Sequence, residues 1–232
     1  MKKAVLILAL APSLLVTHLS GAAEGPLPPT AEQQKELTPK AVLAELVAGN
    51  QRFVEGKPAP ANTSARIQAT AGAQYPKAFI LSCVDSRVPV EQVFDQGIGD
   101  LFVGRVAGNI ESVELLGSIE FATKVAGAKL VMVLGHEACG AVKGACDHVE
   151  LGNLTALLEE IKPAVAGVTG HAEDRSSTNK DFVEAVIAKN VELTVADLRK
   201  RSPILAELEK EGEIILVGGL YSLKHGKVTL LP

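Results

Sequence analysis

Three short apolar runs constrain what this chain can fold into: KAFILSC (77–83), DLFVGRVA (100–107) and KLVMVLG (129–135). Each is followed by helical periodicity, near 90–95, 111–126 and 137–146. A strand apolar at consecutive positions buries both faces, and strands separated by helices pair in parallel because the crossover needs a helix-sized return. The sequence therefore predicts an α/β fold, a mainly parallel central β-sheet with flanking helices. Further helices are expected near 153–166, 179–198 and 203–211, with residues such as Asp181, Glu184 and Lys189 forming a solvated face. EIILVGGLYSL (213–223) and KVTLL (227–231), split by His225 and Gly226, predict a last strand pair with an antiparallel edge.

Upstream, Thr38 and Pro39 have the character of an N-cap and first helical residue. They open a helix with Val42, Leu43, Leu46, Val47 and Phe53 on one face, ended by Gly56. Residues 24–37 are proline-rich and then polar, and are expected to form a flexible N-terminal arm that orders against a neighbouring subunit. Residues 1–23 carry two lysines, an apolar run from Ala4 to Val16 and small residues from Ser20 to Ala23. That layout predicts a signal peptide, cleaved after Ala22 or Ala23, rather than an uncleaved anchor, because the run is too short to span a bilayer. The expectation is export to the periplasm with no stable membrane anchor after cleavage. Residues 38–232 are expected to form a single domain.

Loss of the leader, which holds two lysines and no acid, moves the formal charge from −4 to −6. A mildly acidic chain has no electrostatic reason to bind nucleic acid, and a small or neutral substrate is the simpler expectation. The chain has three cysteines, Cys83, Cys139 and Cys146, too few and odd in number for a disulfide framework.

Parallel sheets place their sites beyond the carboxyl ends of the strands. Cys83 closes one apolar run, and GHEACG (135–140) begins at the end of another. If a helix starts near His136, that residue and Cys139 share one face within a turn, and three ligands converge with Cys83. A Cys, His, Cys set is a zinc donor set that leaves a fourth position open. Asp85 stands two residues beyond Cys83, with Arg87 as its ion-pair partner, so the fourth position is gated by whether Asp85 holds zinc or Arg87. Buried free cysteines also serve as small apolar residues, but Asp85 and Arg87 beside such a core would then be desolvated to no purpose. Cys146, two helical turns past Cys139, is expected to be a bystander.

The motifs CVDSRVP, DLFVGRVAGN and GHEACGAVKGA, in that order, resemble the β-class carbonic anhydrases, which carry Cys-x-Asp-x-Arg and His-x-x-Cys. The resemblance runs from the helix around 40–56 to the C-terminal strands. It implies one Zn2+ per subunit on Cys83, His136 and Cys139, with Asp85 joining only in a closed state. It further implies reversible hydration of carbon dioxide to bicarbonate and a proton, by zinc-bound hydroxide that the Asp85–Arg87 dyad orients. Gln96, Ala107, Gly108 and Asn109 become substrate-pocket candidates, and the assembly a homodimer or homotetramer. Some bacterial relatives use a tryptophan in a bicarbonate regulatory site; here that position is Ile80, although Tyr221 is kept. Competing expectations are a carbonyl sulfide or carbon disulfide hydrolase, a non-catalytic zinc-binding oligomer, and thiol redox chemistry between Cys83 and Cys139.

Overall fold

The computed structural model describes residues 25–232, so the expected leader lies outside the described residues. The chain enters through a short helix, α1 (Ala31–Glu36), closed by a capping box between Thr30 and Gln33. Buried Gln34 donates from Nε2 to the carbonyls of Pro76 (2.7 Å) and Ala126 (2.8 Å). The helix of the arm is thus tied to the body of its own chain. Composition concealed this because the contact is one polar side chain meeting two distant carbonyls.

Helix α2 (Pro39–Val54) starts where expected, with Thr38 accepting a hydrogen bond from the Ala41 N–H. It buries Val42 and Leu46 while Val47 faces outward. Helix α3 (Thr63–Thr70) escapes the apolar pattern because it is anchored by buried Arg66, which bonds to the carbonyls of Pro26 and Ile98 and pairs with Asp100 at 2.9 Å. Strand β1 (Ala78–Ser82), helix α4 (Val90–Val93) and strand β2 (Leu101–Arg105) follow. Helix α5 (Val113–Glu120) then runs into a π-turn over Phe121–Val125.

Strand β3 (Leu130–His136) is buried throughout. Helices α6 (Gly140–Cys146), α7 (Gly152–Glu159) and α8 (Lys162–Gly167) come next. The single helix expected over 153–166 is broken because Pro163 has no N–H to continue the ladder. The long helix α9 (Lys180–Arg201) passes to α10 (Pro203–Lys210) through Ser202, whose hydroxyl caps the second helix at Leu205. Strands β4 (Ile215–Tyr221) and β5 (Val228–Leu230) end the chain.

The described strands form one sheet in the order β2-β1-β3-β4-β5, parallel except for β5. Side chains alternate across it. Phe79, Leu81, Val131 and Val133 face α5, α9 and α10, whereas Ile80, Met132 and Leu134 face α2 and α4. A third apolar group lies beyond the carboxyl ends of β1 and β3, built from α6, α8 and the first half of α9 around Cys83 and Cys139. The strand order reverses at β1, so this is the crevice in which open α/β sheets place ligands. None of the described helices is long and apolar enough to cross a membrane.

Candidate metal centre

Cys83 follows β1 directly and His136 is the last residue of the neighbouring β3. Cys139 comes back toward both through a tight turn in which Ala138 is left-handed, at φ 53°. A helix beginning at His136 was expected; instead, helix α6 begins at Gly140 with Cys139 as its N-cap residue. The delay follows from strand pairing, because His136 is still in register with Tyr221 and the Glu137 N–H donates to the Tyr221 carbonyl at 3.1 Å. The ligand atoms of Cys83, His136 and Cys139 nevertheless all lie within 4.8 Å of one another.

These three side chains are all buried, and His136 is wholly so. His136 Nδ1 sits 2.9 Å from the Glu137 carbonyl oxygen, which can only accept, so Nδ1 carries the hydrogen and Nε2 presents its lone pair. Nε2 has no hydrogen-bond partner among the described residues, and a buried acceptor left unmet costs about 1–3 kcal/mol. The hydrogen bond from Cys139 pulls the Cys83 thiol below the usual thiol range, despite burial. Cys139 is driven far above the usual thiol range because it donates to Cys83 and is itself buried. The pair therefore carries one negative charge readily and resists a second, which a dication between the sulfurs would relieve. Two thiolates and an imidazole with its other nitrogen already engaged are a zinc donor set, and the residues fit that ion.

Asp85 stands beside this group and is held by Arg87 in a two-point ion pair. Arg87 Nε is 2.9 Å from Oδ1 and Nη2 is 2.7 Å from Oδ2, while the Arg87 backbone N–H adds a bond to Oδ1 at 3.0 Å. These bonds hold the Asp85 carboxyl well below the usual carboxylate range. Its Oδ2 lies 3.8 Å from His136 Nε2, so the carboxylate borders the ligand cluster without belonging to it. Arg105, at the end of β2, fastens the same loop by donating to the carbonyls of Cys83 (2.8 Å) and Asp85 (2.5 Å).

A family model described as carbonic anhydrase matches residues 78–228, about two thirds of the chain. Carbonic anhydrase 2 of Mycobacterium tuberculosis is 37% identical over 198 residues, 83% of this chain and 92% of that protein. The chain belongs to the carbonic anhydrase family. Its fold is that of the β class. A Coccomyxa β-carbonic anhydrase solved with acetazolamide superposes with a TM-score of 0.65 at 24% identity, over 82% of this chain and 86% of that one. One of two tetrameric β-carbonic anhydrases from Sordaria macrospora gives 0.61 at 24% identity, over 72% and 90% respectively.

The remaining residues proposed from the β-carbonic anhydrase motifs separate in the structure. Gly108 reaches the cluster, its N–H pointing at Cys83 Sγ across 3.4 Å. It is left-handed at φ 75°, and a Cβ there would stand 2.6 Å from Ile161 Cδ1, so only glycine fits. Ala107 and Asn109 complete the same 3₁₀ turn, Asn109 buried with Nδ2 unpartnered. Gln96 stands apart from the cluster within its own chain. It bonds to the carbonyls of Phe94 and Asp95 and lines a cleft of about 790 Å3 with Pro26 and Arg66, which none of the five motif residues borders. The tight turns of FDQGIGD turn it to that side. Cys146 is buried apart from the cluster, and burial pushes its thiol up to about 11.

Glu184 is a correction. Rather than facing solvent, its Oε1 accepts from the Ala138 N–H at 2.9 Å. Asn190 and Arg105 were not singled out from the sequence. A signal did exist for Asn190, which is a polar residue in the buried stripe of Val186, Ile187, Val191 and Thr194.

Proposed function

We propose that this chain catalyses the reversible hydration of carbon dioxide to bicarbonate and a proton, with one zinc ion held by Cys83, His136 and Cys139. The observation that carries the reading is the Asp85–Arg87 ion pair set against the ligand cluster. A purely structural zinc site has no use for a carboxylate kept ionised and kept off the metal. Zinc, when bound, supplies the Lewis acidity that makes hydroxide available near neutral pH. Asp85 accepts a hydrogen bond from the nucleophile and so turns its lone pair toward the carbon. Arg87 keeps Asp85 from occupying the fourth ligand position itself. The apolar wall around Cys83 and Cys139, including Val106, Ile110 and Phe182, admits a neutral molecule and excludes bulk water.

The same proposal includes a homodimer or homotetramer, supported by the tetrameric Sordaria proteins of like fold. It also includes export to the periplasm, supported by the lysines, apolar run and small residues of 1–23. Stopped-flow mixing of carbon dioxide with protein assayed at one zinc per chain tests the activity. Rapid acidification that scales with zinc content is expected. Turnover of carbon disulfide without carbon dioxide hydration would instead establish the hydrolase, and turnover of neither would establish a non-catalytic zinc protein.

A further inference from the structure

Both loops that complete the cluster are left-handed and both are held by one helix. Ala138, between His136 and Cys139, has φ 53°, and its N–H is taken by the Glu184 carboxylate at 2.9 Å. Gly108 has φ 75°, and its carbonyl is taken by Asn190 Nδ2 at 2.7 Å while its own N–H points at Cys83 Sγ. Glu184 and Asn190 lie six residues apart on α9, about 120° around a helix, which is why they reach different loops. Asn190 is 3% exposed, and the residues between and after the pair, Val186, Ile187 and Val191, are packed in the core. The helix is therefore a rigid mount for two polar contacts.

We propose that Glu184 and Asn190 are positioning residues for the metal. Glu184 sets the turn that aims Cys139, and Asn190 holds the carbonyl side of Gly108, the residue whose N–H supports the Cys83 thiolate. Neither touches the ion; each fixes a group that does. The assignment rests on the zinc reading above and deepens it. Outer-shell groups that orient metal ligands typically change metal affinity by roughly 10–100-fold when removed.

The test is the zinc dissociation constant, measured by competition with a chromophoric chelator, alongside the melting temperature of the zinc-free proteins. Glu184→Leu is expected to weaken zinc by about 10–100-fold, while Glu184→Gln, which still offers an oxygen to Ala138, stays within about threefold of wild type. Asn190→Asp keeps the shape but replaces the donor with an acceptor facing the Gly108 carbonyl, and is expected to fall in the same weakened range. If Glu184→Leu does not fold, Asn190→Asp and Glu184→Gln decide the matter. A residue that merely props the fold would lower the melting temperature and leave the zinc constant unchanged; that result for Asn190→Asp and Glu184→Leu overturns the proposal. A wild-type protein that takes up no zinc would be recognised separately, as failure of the zinc reading itself.

Discussion

Cys139→Ser is expected to yield a folded chain that no longer retains zinc. Cys139 occupies the N-cap position of α6 and makes no side-chain cap bond of its own. Serine is among the preferred N-cap residues, so its hydroxyl is drawn to the Val142 N–H at the helix start rather than toward Cys83 and His136. That bond offsets the small void left by replacing sulfur with oxygen. The metal loses a soft ligand and faces a hydroxyl that does not ionise near neutral pH. If a zinc site of roughly 10–16 kcal/mol is shared among its ligands, losing one weakens binding by about 3 kcal/mol or more, over a hundredfold. Metal analysis after dialysis against a mild chelator is expected to find near-zero zinc, with hydration at the uncatalysed rate. A variant that keeps one zinc and its activity would remove Cys139 from the ligand set.

Asp85→Asn should behave in the opposite way with respect to metal: zinc stays and turnover is lost. The amide keeps the shape and can still meet Arg87 through its oxygen, but it is a poor acceptor for the nucleophile's hydrogen and carries no charge. A loss of about 10²–10⁴-fold in hydration is expected, the usual contribution of a positioned proton acceptor. Arg87→Ala should also keep its zinc and lose activity, for a different reason. Without the two-point ion pair, Asp85 is held only by the backbone N–H of residue 87 and lies next to the ligand cluster, 3.8 Å from His136 Nε2 at Oδ2. It then competes for the fourth position. Because Arg87 acts through Asp85, the double variant Asp85→Asn with Arg87→Ala should be no slower than Asp85→Asn alone, a non-additivity diagnostic of one unit. Additive losses would show that Arg87 contributes independently of Asp85.

The parts of this molecule legible in the sequence are those written in local pattern. Residues 78–82 and 130–136 are buried on both faces of a parallel sheet, so their apolar runs were uninterrupted and unambiguous. Cys83, Asp85, Arg87, His136 and Cys139 stood out because their chemistry is conspicuous at strand ends. What escaped was written in long-range polar contacts. Helix α3 is fixed by Arg66 reaching back to Pro26 and forward to Ile98 and Asp100, and no apolar stripe announces it. The arm is fixed by Gln34 meeting carbonyls 42 and 92 residues away. Glu184 looked like an exposed helical charge because its partner, the Ala138 N–H, is 46 residues distant and is freed only by a left-handed turn. That turn was itself hidden, since the apolar run up to Gly135 gave no sign that His136 and Glu137 would remain bonded to β4.

Zinc K-edge X-ray absorption on the purified wild-type protein tests the central claim most directly, because it counts sulfur around the metal without reference to activity. The structure predicts two sulfur scatterers per zinc, from Cys83 and Cys139, together with two light atoms, one of them His136 nitrogen. Three sulfurs would bring Cys146 into the site, and one or none would place the zinc elsewhere; either result would contradict the account.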